Sequence, residues 1–469
     1  MPITLRPDQQ ELLDRTREAM KTHRRVCMQA PTGFGKTVTA AELMKRVTER
    51  GRRAVFGCHR IEILEQAAKT FTRFDIPYGV VAPGFSPQPY APIQIASIPT
   101  LVSRIKRGKM VPGADLYVPD EAHHCVAPSF AVVGTHYKDA YHIGLSATPE
   151  RADGKGLDSQ FDALVCGPSV KWLIDHGHLS DYRAFAPNSP DMTGVHTVHG
   201  EFDREETEAV MDKSTITGNA IDHYLRYAKG RKFIAYCVSI KHSIHTMEQF
   251  RAAGIACWHV DGATDRDERR MAMDDFRAGD LLGLTNCEIF TEGVDCPDAE
   301  VMIGLRPTKS LPLFLQMCGR VLRPVAGKTA LLMDHGGNLQ RHGLPDDERA
   351  WSLQGRKARK KAEEEAGETV QTRQCPACFM VHRPAPQCPS CGHAYEAQPR
   401  EVEERAGDLV EIDKERHRRA LKDETRNART EEALIALGRS RGYKDPEGWA
   451  RVQVRIREEY RLKFAKRRA

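Results

Sequence analysis

Short apolar runs alternate with longer amphipathic stretches over the first third of the chain. Five runs predict buried strands, at residues 26–29, 54–57, 93–96, 116–118 and 141–145. Apolar residues at helical spacing predict helices at residues 7–21, 38–47 and 61–71. Polar motifs follow directly after several of the strands. An open parallel α/β sheet has its functional site at the edge formed by the carboxyl ends of its strands. We therefore expect such a sheet here.

A second set of the same kind begins near residue 215. Its predicted strands lie at residues 233–237, 256–260, 281–286, 301–305 and 330–334, and its helices at residues 243–253, 266–278 and 311–322. We therefore predict an α/β protein with two successive parallel-sheet domains, at residues 1–152 and 215–345. Residues 153–214 are expected to connect them, and residues 346–372 to form a charged linker or exposed helix.

Composition narrows the class of protein. The chain has 469 residues, of which 40% are hydrophobic and 29% are charged, which is typical of soluble globular proteins. No apolar run reaches the roughly 18 residues of a membrane span, and the first residues lack the apolar core of an export signal. We therefore expect a cytoplasmic protein without a membrane partner, whose 13 cysteines are reduced thiols or metal ligands.

Residues 26–37 read VCMQAPTGFGKT and predict a strand, a glycine-rich phosphate loop and the start of a helix. Gly33 and Gly35 would let backbone N–H groups curl around phosphates, and the helix N-terminus adds its dipole. Lys36 is expected to reach the β- and γ-phosphates of ATP, and the Thr37 hydroxyl to hold Mg²⁺. Ala30 stands where the usual first glycine would be, so this pattern alone is imperfect.

Two further clusters supply the charges that ATP hydrolysis needs. Asp120 and Glu121 follow an apolar run, where Asp120 would orient the Mg²⁺ shell and Glu121 would act as general base. Arg320 and Arg323 lie three positions apart, on one helix face, and can stabilise the charge that develops on the γ-phosphate. Each cluster taken alone also fits an ordinary charged surface.

Taken in order, four motifs resemble those of a superfamily 2 helicase. They are the phosphate loop, Asp-Glu-Ala-His at residues 120–123, Ser-Ala-Thr at residues 146–148 and Gln-x-x-Gly-Arg-x-x-Arg at residues 316–323. Over about residues 3–340 the chain is most similar to the RadD and XPB type of DEAH-box DNA helicase, which includes phage and prophage members. This resemblance implies two tandem RecA-like domains that close on ATP and open after hydrolysis.

The resemblance also implies roles for single residues. Arg6 and Gln9 are expected at the adenine, whose edge a glutamine amide can read because it both donates and accepts. Ser146 and Thr148 are expected to couple hydrolysis to movement. Further contacts to nucleotide are expected from Gln316, Gly293 and Asp295, with Glu292 beside them at the cleft. Contacts to the DNA strand are expected from Arg60, Ser97, Thr100, Gly262, Thr264 and Thr291.

Four clustered cysteines predict a structural zinc ribbon at residues 373–396. Cys375, Cys378, Cys388 and Cys391 form two Cys-x-x-Cys pairs separated by nine residues, which is the tetrahedral Zn²⁺ pattern. Four thiolates leave no open position, so a catalytic zinc is not expected. His382 and His393 are alternative ligands, but the four cysteines are preferred.

A basic helical region is predicted at residues 397–469. Residues 451–469 carry a net charge of +6, which suits a polyanion but also fits a solvated helix. Tyr443 and Trp449 could stack on bases, although a small local core is the favoured interpretation.

The resulting hypothesis is an ATP-dependent DNA helicase or translocase that uses ATP, Mg²⁺ and Zn²⁺. DNA is favoured over RNA as the partner, and a single-strand-binding, repair or replication protein is a candidate protein partner. Repair, recombination and phage replication all remain open as pathways. Two alternatives are an ATP-switched nucleic-acid-binding zinc protein without processive unwinding and the motor subunit of a restriction system.

Overall fold

A computed structural model describes residues 4–151, 153–187, 190–198, 200–289, 298–365, 372–395, 423–443 and 445–465. The chain divides into two compact units, Met1–Tyr395 and Glu396–Ala469, which are described separately below. The described part of the first unit contains two large sheets and a two-stranded hairpin. We call the first sheet with its helices lobe 1 and the second sheet with its helices lobe 2.

Lobe 1 is built on a seven-stranded parallel sheet. Its strands are β1 (Arg25–Gln29), β2 (Ala54–Cys58), β3 (Gly79–Val81), β4 (Ile93–Ser97), β5 (Leu116–Pro119), β6 (Tyr141–Ser146) and β7 (Ala163–Cys166). Their order in the sheet is β3-β4-β2-β5-β6-β1-β7. Because β5, β6 and β1 are neighbours, the polar motifs that follow these three strands meet at one edge of the sheet.

Five helices pack on the lobe 1 sheet, together with one 3₁₀ turn. The helices are α1 (Pro7–Ala19), α2 (Lys36–Thr48), α3 (Ile61–Arg73), α4 (Ile98–Lys106) and α5 (Pro128–His136), and the turn is Ala122–His124. The strands are apolar runs because both faces of the sheet are covered by helices; all five residues of β2 are buried.

Lobe 2 is built on a second parallel sheet with a short hairpin beside it. Its strands are β8 (Tyr182–Phe185), β11 (Phe233–Tyr236), β12 (Cys257–Val260), β13 (Gly283–Asn286), β14 (Val301–Gly304) and β15 (Ala330–Asp334), and the hairpin pairs β9 (Thr197–Val198) with β10 (Glu201–Phe202). Its helices are α6 (Val170–Asp175), α7 (Arg204–Met211), α8 (Ser214–Tyr227), α9 (Ile240–Ala252), α10 (Arg266–Ala278), α11 (Leu311–Val321) and α12 (Asn338–His342).

The cysteine-rich segment extends the sheet of lobe 2. Strands β16 (Arg373–Gln374) and β17 (Met380–His382) pair with each other, and β17 pairs antiparallel with β8. The order of the second sheet is therefore β12-β13-β11-β14-β15-β8-β17-β16. This segment covers the edge that β8 would otherwise expose.

The segments predicted as a connector and as a charged linker or exposed helix contain elements that pack against the lobes. The predicted connector, residues 153–214, contains β7, which joins the first sheet, and β8, which joins the second. The predicted charged linker contains helix α13 (Arg356–Glu365), whose Arg359 is buried and not exposed, because Arg359 pairs with a carboxylate of lobe 1. The other domain boundaries remain predictions.

The C-terminal unit contains two contacting helices, α14 (Glu431–Ser440) and α15 (Pro446–Ala465). Thr430 caps α14, because its hydroxyl accepts a hydrogen bond from the amide of Ala433. Gly438 lies against Trp449, and the Tyr443 and Trp449 rings are 5.1 Å apart, which favours the small local core. Among the helices that the structure describes, none has both the length and the apolar character needed to cross a membrane.

Candidate active site between the lobes

The phosphate loop joins β1 to α2 and has the predicted conformation. Gly33 and Gly35 have φ of +90° and +96°, in the left-handed region that favours glycine. A Cβ on Gly35 would also lie 2.7 Å from the Gln9 side-chain nitrogen. The Lys36 ammonium donates to the carbonyl oxygens of Ala30 (3.0 Å) and Pro31 (3.4 Å). The lysine is therefore held over the loop where phosphates would bind.

The acidic pair follows β5 at the same edge of the sheet. Asp120 is buried, and its amide donates to the carbonyl oxygen of Gly57 on the neighbouring strand (2.8 Å). Burial, together with the negative charge of Glu121, raises the pKa of Asp120 to about 7, although Lys36 opposes the shift. A cation beside Asp120 would favour its ionised form, and its role in orienting Mg²⁺ remains a prediction.

Glu121 has an unusual backbone conformation, with φ of +50°. A non-glycine residue seldom adopts this region, and such strain is concentrated at functional sites. The Glu121 Oε2 atom is buried without a hydrogen-bond partner among the described residues, and it lies 3.4 Å from Nδ1 of His123. A buried carboxylate oxygen of this kind has the capacity to accept a proton from water.

The arginine motif of α11 lies against the phosphate loop. A Cβ on Gly319 would stand 2.6 Å from Cβ of Thr32, so the two lobes are in direct contact here. Arg320 is buried, and Arg323 is half-buried, which lowers the pKa of Arg323 to about 10. Burial lowers the pKa of Lys36, the positive charges of both arginines lower it further, and the two carboxylates Glu121 and Asp120 oppose this shift. Five charged side chains from two lobes thus share one electrostatic environment.

Gln316 lies on the same helix as the arginines and is 5% exposed. Its side-chain nitrogen is buried without a hydrogen-bond partner among the described residues. Because a buried amide is costly to leave unsatisfied, this atom is a candidate donor to a bound group.

Arg6 and Gln9 lie at the start of α1, beside the phosphate loop. The Gln9 amide nitrogen donates to the carbonyl oxygen of Phe34 (2.9 Å), and its oxygen accepts from the Arg6 amide (3.1 Å). The Arg6 guanidinium also donates to Phe34 (3.1 Å) and pairs with Asp8 (2.8 Å). The two residues therefore support the loop directly, and their contact with adenine remains a prediction.

The Ser-Ala-Thr motif is hydrogen-bonded to the strand that carries the phosphate loop. The Gln29 side chain donates to the carbonyl oxygen of Ala147 (2.9 Å), and the Ala30 amide donates to that of Ser146 (3.0 Å). The Ser146 hydroxyl bonds the carbonyl oxygen (2.8 Å) and the amide (3.2 Å) of Thr148. These hydrogen bonds connect the turn to the phosphate-loop strand, and the coupling role of Ser146 and Thr148 remains a prediction.

The described residues among the predicted strand-binding set lie at or just after the ends of sheet strands in both lobes. Arg60 and Ser97 precede α3 and α4, and Thr100 lies in the first turn of α4. The Asp261 carboxylate accepts from Thr264, which shapes the turn that contains Gly262. These residues stay predictions as DNA contacts. Thr291, Glu292, Gly293 and Asp295 lie outside the described residues.

Nearby, α3 and α10 are joined across the lobes. Glu62 pairs with Arg269, and Glu65 pairs with Arg266. The Arg269 guanidinium also donates to the carbonyl oxygens of Asp261 and Thr264, both at 3.2 Å. This arginine therefore ties the predicted strand-binding turn of lobe 2 to lobe 1.

The four cysteines of the predicted ribbon converge on one point. Their sulfur atoms all lie within 4.8 Å of one another, with Cys375 and Cys391 3.6 Å apart and Cys378 and Cys388 3.7 Å apart. Sulfurs of a tetrahedral site with Zn–S bonds of about 2.3 Å are separated by roughly 3.8 Å, so the cluster fits Zn²⁺. Both ring nitrogens of His382 are engaged, by the Arg383 carbonyl and by Tyr395, which disfavours His382 as a ligand.

Sequence reasoning missed several residues that build this site. Gln29, Thr32 and Gly319 make contacts between motifs, and Glu150 forms a buried ion pair with Arg359. The only sequence feature that could have identified these residues is that each lies within or next to a motif. The partners of Glu150 lie about 200 positions further along the chain, so no local pattern could have identified them.

Comparison with known proteins agrees with this geometry. Residues 2–151 match the family described as "Type III restriction enzyme, res subunit", and residues 216–325 match "Helicase conserved C-terminal domain". A 51.5 kDa protein of a Lactococcus phage is 33% identical over 370 residues, which cover 78% of each chain. IRC3 of Saccharomyces cerevisiae, named as an ATP-dependent helicase, is 27% identical over 340 residues, which cover 68% of this chain and about half (49%) of that relative.

A solved structure shows the same fold. The fragment of a type I restriction enzyme subunit described as HsdR, from Vibrio vulnificus, superposes with a TM-score of 0.56. It is 20% identical and covers 72% of this chain and 65% of that one. The two lobes are therefore tandem RecA-like domains, and the chain belongs to the ATP-hydrolysing helicases of superfamily 2.

Proposed function

We propose that this protein is a DNA translocase or helicase that couples ATP hydrolysis to opening and closing of its two lobes. The observation that carries the proposal is the shared environment of Lys36, Asp120 and Glu121 from lobe 1 and Arg320 and Arg323 from lobe 2. The complete set of charges exists only while the lobes are in contact. Hydrolysis would therefore be tied to closure, and closure to a step along a strand.

In this proposal each charged residue has one task. Lys36 and Thr37 bind the phosphates and Mg²⁺, Asp120 orients the Mg²⁺ shell, and Glu121 accepts a proton from the attacking water. Arg320 and Arg323 stabilise the charge on the transferred phosphoryl group. Mg²⁺ supplies charge neutralisation at the β- and γ-phosphates when it is bound.

DNA is the proposed track, and the four-cysteine cluster is proposed to hold a structural Zn²⁺. The match of residues 2–151 to a restriction-enzyme family supports DNA over RNA. The sulfur separations support Zn²⁺. Since four thiolates complete a tetrahedron, the metal would stabilise the ribbon without taking part in hydrolysis.

The test measures ATPase activity with single-stranded, duplex and forked DNA and with RNA, together with displacement of a triplex-forming strand. We expect DNA to stimulate hydrolysis and displacement to require ATP. Lys36→Ala should abolish both, whereas Lys21→Ala, at a lysine whose side chain is 69% exposed, should leave both unchanged. Hydrolysis by Lys36→Ala at the wild-type rate would contradict the proposal. DNA-stimulated hydrolysis without displacement would instead support an ATP-switched binding protein.

A second candidate is the motor subunit of a restriction system. The family match over residues 2–151 favours it. A nuclease or methyltransferase that co-purifies stoichiometrically with the native protein would support this role.

A further inference from the structure

Glu150 is a buried carboxylate that the proposed mechanism does not use. It lies two positions after Thr148 and is 1% exposed. Its oxygens accept hydrogen bonds from Nε of Arg356 (2.9 Å) and Nε of Arg359 (3.0 Å), both on α13. The Arg359 guanidinium also donates to Glu363 (2.8 Å). Removing any one of these groups would leave a buried charge without its partner, which is costly. The carboxylate and the two guanidiniums are therefore held together.

The backbone around this ion pair is packed against lobe 1 as closely as glycine allows. The amide of Leu157 donates to the carbonyl oxygen of Leu353 (2.6 Å), and that of Arg356 donates to the carbonyl of Gly154 (2.9 Å). A Cβ on Gly156 would lie 1.9 Å from the Leu353 carbonyl oxygen. Residues 353–359 are thus fastened to the loop that follows the Ser-Ala-Thr turn.

A few residues earlier, the same segment is fastened to lobe 2. The Arg349 guanidinium donates to the carbonyl oxygens of His342 (3.0 Å) and Leu344 (3.2 Å), next to α12. The Asp347 carboxylate accepts from the guanidinium of Arg383, which follows β17 of the second sheet (3.1 Å). We call residues 344–359 the strap, since they run from lobe 2 to lobe 1.

The strap is short and lines the space between the lobes. Three residues separate Arg349 from Leu353, so this part spans at most about 14 Å when fully extended. With Trp351, Arg349 also lines a cavity of about 230 Å³ whose other walls include Thr148 of lobe 1 and Gly319 of lobe 2. The strap therefore limits how far the lobes can separate, and it lies outside both matched family ranges.

We propose that Glu150, Arg356 and Arg359 form a latch that positions the Ser146–Thr148 turn relative to lobe 2, and that this latch couples hydrolysis to lobe movement. All three are positioning residues, since they act through the turn and the strap. The inference rests on the proposed function. When lobe 2 moves, the strap pulls on the loop that begins at Glu150, and the displacement reaches the turn that is hydrogen-bonded to the phosphate-loop strand.

The test compares Glu150→Gln, Arg359→Gln and the double variant. Lys361→Gln is the matched control, because Lys361 lies on the same helix with its side chain 76% exposed. For each protein, kcat and KM for ATP are measured with saturating single-stranded DNA, and ATP consumed is counted per displaced triplex strand. We expect a fall in kcat of roughly tenfold to a hundredfold in the single variants, since small misplacements at a catalytic site have effects of this order. KM should change less than about twofold.

The decisive readout is the ATP consumed per displaced strand, which should rise at least threefold in both single variants and stay normal in Lys361→Gln. In the double variant, the ATP consumed per displaced strand should rise no further than in either single variant, because both single substitutions remove the same ion pair. A purely structural role would lower the melting temperature and the active fraction without changing this ratio, and that result would overturn the latch. Additive losses in the double variant would overturn it too.

Two further comparisons distinguish failure of the latch from failure to fold and from failure of the proposed function. If Glu150→Gln does not fold, Arg359→Lys retains the charge but loses the guanidinium geometry, and an unchanged ratio in that variant counts against the latch. If the wild-type protein hydrolyses no ATP or displaces no strand, the proposed function fails and the latch with it. If the wild type does both and Glu150→Gln behaves identically, only the latch fails.

Discussion

Replacing Gly319 with alanine tests whether the contact between the lobes is part of the catalytic cycle. Gly319 lies within α11, where alanine favours the helix by about 0.5–1 kcal/mol over glycine. The added Cβ, however, would lie 2.6 Å from Cβ and 2.7 Å from Cγ2 of Thr32. Carbon atoms in favourable contact are about 3.5–4.0 Å apart, so closure would require a displacement of roughly 1 Å.

Gly319→Ala is expected to lower the ATPase activity without lowering the stability of the protein. Overpacking of this kind costs about 1–3 kcal/mol, and here the cost falls only on the closed state. Because 1.36 kcal/mol corresponds to a tenfold change in rate, kcat/KM for ATP should fall about fivefold to hundredfold. The melting temperature should remain the same or rise. The methyl group has no close contact when the lobes are open, and alanine stabilises helix α11 relative to glycine.

DNA-stimulated ATPase and thermal unfolding measure the two effects side by side. Gly218→Ala is the control: it also adds a methyl group to a glycine within a helix of lobe 2, but nothing lies within 4 Å of its Cβ position. It should leave kcat/KM unchanged. If Gly319→Ala hydrolyses ATP as fast as the wild type, hydrolysis does not need the lobes in this contact, and our reasoning fails.

Two more predictions concern the buried acid and the metal. The pKa of Asp120, raised to about 7 by burial and by Glu121, lies above its value in the unfolded chain, so its contribution to the free energy of unfolding falls as pH rises from about 4 to 7. Asp120→Asn should therefore be more stable than the wild type at pH 8, with a smaller difference at pH 5, and inactive as an ATPase; equal urea midpoints at pH 8 would contradict this. Protein purified without added metal should contain about one equivalent of zinc, and a chelator should lower its melting temperature. Cys378→Ser should lose the zinc and Cys166→Ser, outside the cluster, should retain it; metal analysis that finds none in the wild type would refute the site.

Five strands of each lobe follow from the sequence because each is a largely apolar and largely buried run, and these strands are β1, β2, β4, β5 and β6 in lobe 1 and β11 to β15 in lobe 2. The run at residues 116–118 and the acidic pair after it correspond to β5 and the site beside it. Asp120 and Lys36 come together for a topological reason, since β1 and β5 flank β6 in a parallel sheet. The motifs therefore predicted that these residues lie close together, and their roles in ATP hydrolysis stay predictions.

Other features depend on pairings that no local pattern records. Strand β3 has only three residues and begins with a glycine, and β8 is interrupted by the exposed Arg183, so neither forms a clear apolar run. The run of charges at residues 356–365 predicts an exposed helix, yet Arg359 is buried because its partner Glu150 lies on another domain. A pattern of charged residues predicts the helix. It does not show which of the basic side chains pairs with a carboxylate far away in the sequence.

The pairing of β17 with β8 has a consequence for the behaviour of the protein in solution. Val381 and Met380 sit opposite Ala184 and Phe185, so the cysteine-bearing hairpin occupies hydrogen-bonding positions that would otherwise face water. Unpaired strand edges are templates for association with other chains. Stripping the metal would uncover such a template, and the first sign of zinc loss should be oligomers that grow with protein concentration, before hydrolysis declines.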